Sequence, residues 1–110
     1  MKIIAFFNLK KEIDMESYYD WVLNRQKKVF HKEIPKMKNF MVYKLVDKDN
    51  YQDLKQIIQI FDWEGNVDEW RKTLEGFRVS KNKETYNIAQ EWLDLCDDES
   101  TQIIYADDIK

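Results

Sequence analysis

Cysteine, histidine, proline and glycine are all scarce in this 110-residue chain: one Cys, one Pro, two Gly and a single His. Each scarcity removes a class of function. With Cys96 as the only cysteine, no internal disulfide forms, and one unpaired thiol fits a reducing compartment. With His31 as the only histidine, no His-pair metal site exists. The glycine spacing of a P-loop or a Rossmann turn is missing. No apolar run approaches membrane-spanning length. The opening run Ile3-Ile4-Ala5-Phe6-Phe7 stops at Asn8 and is followed by Lys10-Lys11, too short for a signal peptide. An excess of positive charge is missing too. Lys and Arg number 18 against 21 Asp and Glu, with the signs interspersed, which argues against nucleic acid as a partner. The expectation is a soluble cytoplasmic protein, one domain over residues 1–110, with no membrane partner, no cofactor and no metal site.

What the chain does hold is aromatic and apolar residues in readable periods. Residues 3–9 read as a strand with two apolar faces: Ile3, Ala5, Phe7 and Leu9 on one, Ile4 and Phe6 on the other. Asp14 offers an N-cap, and a helix is expected from Met15 to about Glu33, ended by Pro35. Its apolar side holds Met15, Tyr18, Tyr19, Val22, Val29 and Phe30. Residues 40–46 are a second strand, Asp47-Lys48-Asp49-Asn50 a turn, and residues 54–63 a third strand. Asn66 with Glu69 three residues on starts a second helix, which Gly76 is expected to break or bend. Helix resumes near Asn82 with Tyr86, Ala89, Leu93 and Cys96 on one side, and Asp97-Asp98-Glu99-Ser100 closes it. Residues 102–106 form a last strand.

Strands joined through a long helix must cross over, so the first and second strands run parallel. The hairpin strand fits between them, antiparallel to both, and the fourth takes the free edge beside the first. This predicts an α+β, ferredoxin-like β-α-β-β-α-β fold with an antiparallel sheet. Both helices lie on one face, yet the first strand is apolar on both. A second copy of the sheet is the cheapest cover, so a homodimer is expected.

Phe7-Asn8-Leu9-Lys10, Asp14, Tyr18-Tyr19, Trp21 and Ile34-Pro35-x-Met37-x-x-Phe40-x-Val42-Tyr43 resemble the start of the REDY-like (HapK-type) proteins of the dimeric α/β-barrel superfamily. Asp62, Trp70, Leu74 and Trp92 continue the likeness more loosely. The resemblance implies two sheets paired into a barrel and a small-molecule pocket between sheet and helices. Activities in that superfamily include cofactor-free monooxygenation, haem degradation, lactone isomerisation and polyketide cyclisation, and the REDY-like members are associated with pigment biosynthesis. The implied function is a homodimeric barrel protein that binds a hydrophobic, planar small molecule and acts as a cofactor-free monooxygenase, cyclase or isomerase in secondary metabolism. The alternative is a non-catalytic ligand-binding or regulatory module.

No catalytic residue is assigned. Gln26 falls in the middle of the apolar stripe of the first helix, either as a side chain reaching a backbone group or as a polar group of a ligand pocket. Asn8 and Gln59 sit on neighbouring strands among apolar residues, either paired with each other or a partner subunit, or lining a pocket. Tyr18, Tyr43 and Trp63 are able to stack on a planar ligand, or else belong to core and dimer contacts. The candidate ligand-binding set is Asn8, Tyr18, Gln26, Tyr43 and Gln59, with the pocket between the first helix and the sheet. His31 reads as solvated near a helix end, Cys96 as a packing residue, and Arg71 and Arg78 as surface residues or partners of an acidic ligand. Glu91, Asp94, Asp97, Asp98 and Glu99 read as a solvated helix end, or as an oxygen-rich cluster of the kind calcium binds. Asn8 and Trp70 are also similar to residues of the haem-degrading branch. That branch ligates haem through a histidine near its second helix, and none follows His31 here.

Overall fold

A computed structural model describes residues 1–47, 49 and 54–109. The elements run in the order β1 (Lys2–Leu9), α1 (Met15–Trp21), a π-helical stretch (Val22–Gln26), α2 (Lys27–Glu33), β2 (Met37–Lys44), β3 (Ile57–Trp63), α3 (Val67–Val79), α4 (Glu84–Leu95) and β4 (Cys96–Ala106). The sheet order is β2-β3-β1-β4 with every neighbouring pair antiparallel, the ferredoxin-like arrangement expected from the sequence.

Local chemistry starts the helices where the sequence places them. Asp14 accepts a hydrogen bond from the Ser17 amide at 2.7 Å, and Asn66 accepts one from the Glu69 amide at 2.9 Å. Each satisfies one of the orphan donors of a first turn. The first helix is not uniform. The Lys27 amide bonds to the Val22 carbonyl, five residues back, so Val22–Gln26 winds as a π turn between two α segments. The extra residue shifts the phase of the apolar stripe. Tyr18 is buried while Tyr19 is exposed, against the expectation that both face the core.

Other boundaries move for identifiable reasons. β2 begins at Met37 rather than Phe40, and its register with β3 shifts between Lys38 and Met41. Asn39 sits there at φ 53°, the left-handed region that asparagine tolerates, and the strand passes through it as a bulge. β3 begins at Ile57 rather than Leu54. Of the expected turn at residues 47–50, Lys48 and Asn50 lie outside the described residues. Gly76 does not break α3, which runs on to Val79. α4 ends at Leu95, and Cys96 with the acidic run after it belongs to β4, not to the helix. Leu93 and Cys96 therefore do not share a helix face, and Leu93 is partly exposed.

The helix-facing side of the sheet carries the core. Ile3, Phe7, Ile57 and Phe61 are each about 1 % exposed. Trp70 of α3 packs on Phe61 at 5.0 Å and Trp63 at 5.3 Å between ring centroids, and Phe30 packs edge-on against Phe40 at 5.3 Å. Lys36 pairs with Glu69 and ties the start of β2 to α3. Among the described residues, the other side of the sheet has no helix. It presents Ile4 and Phe6 of β1, Ile58 and Ile60 of β3, Met41 and Tyr43 of β2 and Ile104 of β4. Met41, Tyr43 and Ile104 are 44–50 % exposed. Among the described residues, no helix is long and apolar enough to cross a membrane.

A Cβ placed on Gly76 meets no atom within 4 Å, and the residue has no positive φ. Gly76→Ala should therefore stabilise the fold by about 0.5–1 kcal/mol, the helical cost of glycine relative to alanine. Thermal unfolding should show a Tm higher by a few degrees. A lowered Tm would mean that α3 needs the flexibility of this position.

Candidate functional site, a cavity between the sheet and α3 and α4

A cavity of about 560 Å³ lies under the second pair of helices. Its floor is the helix-facing side of the sheet: Ile3, Ala5 and Phe7 of β1, Gln59 and Phe61 of β3, Thr101 and Ile103 of β4. Trp70, Leu74 and Phe77 of α3 and Ile88, Ala89 and Trp92 of α4 form the roof. The first helical rod contributes Gln26 and Phe30 from one side. Exposed Arg78, Gln90, Leu93 and Asp98 stand at the rim. The size and the apolar, aromatic wall match the general character of small-molecule sites.

Two features of the backbone open this space. Ala5, opposite Gln59 in the ladder, leaves room above the centre of the sheet. Beside it, Phe6 pairs with Gln102 and Asn8 with Asp97, so β1 advances two residues while β4 spans five. The surplus residues of β4 bulge opposite Phe7 and place Asp98 and Thr101 at the cavity. Ser100 holds the bulge: its hydroxyl accepts from the Asn8 amide at 2.8 Å and donates to the Asp97 carbonyl at 2.6 Å.

Gln26 is the buried polar residue at the cavity's inner end, about 2 % exposed. Its Nε2 donates to Oε1 of Gln59 over 3.4 Å, a long contact at the limit of hydrogen bonding. Gln26 Oε1 has no partner. Trp70 Nε1 and Thr101 Oγ1, on the same cavity, are buried and likewise without a partner.

The sequence candidates thus divide. Gln26 and Gln59 come together in the cavity. Asn8 lies on the helix-free side of β1, where its side chain accepts from the Gln56 amide at 2.9 Å and steadies the strand end. It does not meet Gln59. Tyr43 is on the helix-free side of β2. Tyr18 is buried between Phe7, at 6.2 Å, and Trp21, at 6.1 Å, away from the cavity wall. Burial pushes the phenol's pKa up, and it pushes up that of the Cys96 thiol also, so neither is a ready nucleophile. The cavity is nearer α3 and α4 than the first helix, because the bulge in β4 opens that edge. Thr101 and the cavity role of Trp70 were missed. A bulge leaves no periodic signal in the sequence, and a tryptophan at core spacing reads as packing.

Outside the cavity, His31 is exposed on α2. Arg71 pairs with Asp68 at 3.8 Å and sits 5.5 Å over the Tyr105 ring. The carboxylate of Glu91 is engaged by Arg25 Nη2 at 2.6 Å, Arg25 Nε at 3.0 Å and Trp21 Nε1 at 3.0 Å. This forked pair bolts the first rod to α4. Among the described residues, no group of three His, Cys, Asp or Glu side chains is placed to hold a metal ion.

No family model matches the chain, and no curated protein matches it. Solved structures do. One is a dimeric protein of unknown function and ferredoxin-like fold from Bacteroides fragilis: TM-score 0.57, 10% identity, 94% of this chain and 90% of that one covered. Another is an ethyl tert-butyl ether D (EthD) family protein from Bacillus halodurans: TM-score 0.58, 13% identity, 96% of both chains covered. At such identities the likeness establishes the fold.

The Arg25 hydrogen bond holds the Glu91 carboxyl below its ordinary value of 4.5, against the opposing effect of burial. Because the folded-state pKa is the lower one, the pair stabilises the fold above about pH 4.5, and that contribution is lost as the pH falls through the folded value. Glu91→Gln should cost up to about 1 kcal/mol at pH 7, the scale of a partly exposed pair. In urea unfolding the gap between variant and parent should narrow as the pH is lowered below 4.5 and the carboxyl takes up its proton. A gap that does not change with pH would show that packing, not charge, holds the first helical rod to α4.

Proposed function

We propose that this chain is a homodimeric barrel protein whose cavity binds a largely hydrophobic, planar small molecule. The observation that carries the reading is the cavity itself: about 560 Å³ walled mainly by apolar and aromatic side chains, with a glutamine pair at its inner end. The homodimer rests on the bare sheet face. Ile4, Phe6, Ile58, Ile60 and Ile104 form an apolar strip with no helix among the described residues to cover it. A second copy presents the same strip, so the surface is self-complementary. The Bacteroides fragilis neighbour, described as dimeric, supports this occupant. The first-half likeness to REDY-like proteins belongs to the same proposal.

Chemistry at such a site is cofactor-free oxidation, cyclisation or isomerisation, in which neutral hydrogen-bond donors stabilise charge developing on a substrate carbonyl. One observation favours a second reading, a non-catalytic binding module. The titratable residues lining the cavity are Arg78 and Asp98, both at its exposed rim, so no general base stands inside. Haem turnover is not expected, since the one histidine lies outside the cavity.

Two measurements test the proposal. Light scattering at low micromolar concentration should give twice the monomer mass. Ile104→Glu, a change at a residue 50 % exposed in the single subunit, should give a folded monomer. A parent protein of monomeric mass would refute the dimer. For the cavity, Ala5→Trp should fill the space above the sheet and abolish uptake of a neutral fluorescent aromatic probe such as N-phenyl-1-naphthylamine. Undiminished probe binding by that folded variant would move the site elsewhere.

A further inference from the structure

Four buried side-chain polar atoms among the described residues have no hydrogen-bond partner: Tyr18 Oη, Gln26 Oε1, Trp70 Nε1 and Thr101 Oγ1. All but the first belong to residues that line the one cavity. They come from separate elements, the π turn, α3 and β4, so no single local irregularity explains them. An unpaired buried polar atom costs about 1–3 kcal/mol. Orphans scattered through a core are defects. Orphans gathered on the wall of one cavity are a set of contacts waiting for a partner.

Their chemistry states what that partner carries. The indole Nε1–H of Trp70 only donates, so it calls for an acceptor. The free Oε1 of Gln26 only accepts, so it calls for a donor. Turning the Gln26 amide over alone would set its oxygen against that of Gln59, and turning both amides over moves the free carbonyl from Gln26 to Gln59. A glutamine pair joined by one hydrogen bond retains one carbonyl and one NH₂ group for other partners in either orientation. Thr101 does both. No charged side chain reaches the interior, where an ionised ligand group would lie without a counter-charge, at high cost. The walls offer flat faces: Phe61 and Trp70 are 5.0 Å apart between centroids, and Phe7 and Trp92 5.2 Å.

Resting on the reading of the cavity as a ligand site, we infer that its ligand is a neutral, flat aromatic compound bearing both a carbonyl acceptor and an N–H or O–H donor. That is the chemistry of an aromatic lactam or hydroxyketone. Trp70 reads the acceptor, the Gln26–Gln59 pair reads the donor, and Thr101 completes the polar set. The selectivity of the site is then for hydrogen-bonding pattern rather than for hydrophobicity alone.

Three-ring probes of matched shape test this. Acridone carries N–H and C=O, anthracene neither, anthraquinone acceptors only, and 9-anthracenecarboxylate a charge. Quenching of intrinsic tryptophan fluorescence reads binding. Acridone should bind at least about tenfold tighter than anthracene, with anthraquinone between them and the carboxylate weakest, the scale set by one or two net hydrogen bonds. Gln26→Leu and Trp70→Phe should each remove about three- to tenfold of the acridone preference while leaving anthracene binding unchanged. Thr101→Val, on a partly exposed edge strand, supplies the same comparison should either core variant fail to fold. Equal affinity for acridone and anthracene, or tightest binding of the carboxylate, overturns the inference and leaves the cavity as a plain hydrophobic site. If none of the four probes binds, the ligand-site reading falls with it.

Discussion

A four-stranded sheet with two apolar faces and helices enough for one is the constraint from which the rest of this structure follows. β1 sets it. Its residues alternate between fully buried Ile3 and Phe7 under the helices and half-covered Ile4 and Phe6 on the opposite side. β3 repeats the pattern, with Phe61 inside and Ile58 and Ile60 outside. The hydrophobic effect scales with area removed from water, at about 25 cal/mol per Å². A bare apolar face is therefore a standing drive toward association. The helices, in turn, must spread across the whole of the other face with limited material. They do so unevenly. The first rod and α3 pack closely over β2 and β3 through Phe30, Phe40, Phe61 and Trp70, while the β4 side remains open.

That unevenness is what separates the legible from the illegible. Element order, sheet order and both side-chain N-caps could be read from periodicity and from Asp14 and Asn66, because these depend on neighbours a few residues apart. The bare sheet face was legible for the same reason: alternation in residues 3–9 states it outright. The misreadings share a different cause. Asn39 accepting a left-handed conformation, the π turn before Lys27 and the surplus residues of β4 each insert length into an otherwise regular element. Such insertions are fixed by what the element packs against, and a periodic reading cannot register them. Gly76 was misread through the opposite error, a strong local signal overridden by a helix with buried Trp70 and Phe77 to hold it.

For the site the division is sharper. Gln26 was legible as an exception, a polar residue in an apolar stripe, and Gln59 as an amide in an apolar strand. Their meeting was not, because it depends on which strand lies over which helix turn. Asn8 gave the same kind of signal and proved to serve the backbone: its side chain and amide close the end of β1 against Gln56 and Ser100. The face of the strand makes the difference. Gln59 opposes Ala5 and points under the helices, whereas Asn8 continues the alternation of Ile4 and Phe6 and points away.

Two of the three irregular elements are connected with two of the three orphaned polar atoms of the cavity. The π turn ends at Gln26, and the bulge in β4 ends at Thr101, so two of the orphans sit where a regular element would have placed another residue. π bulges and β bulges recur at functional sites because each re-aims a side chain without rebuilding the fold around it. The cost falls on stability. A small domain holds about 5–15 kcal/mol in all, and several unpaired polar atoms at about 1–3 kcal/mol each take a large part of it. A ligand of the proposed kind would pair them, return that energy on binding, and bind the folded form alone. The apparent stability of the chain should then rise with ligand concentration as RT ln(1 + [L]/Kd). On the proposed reading, the π turn, the β4 bulge, the empty space and the missing partners have one physical account: a fold held short of its best packing at one end of its core, where an occupant would complete it.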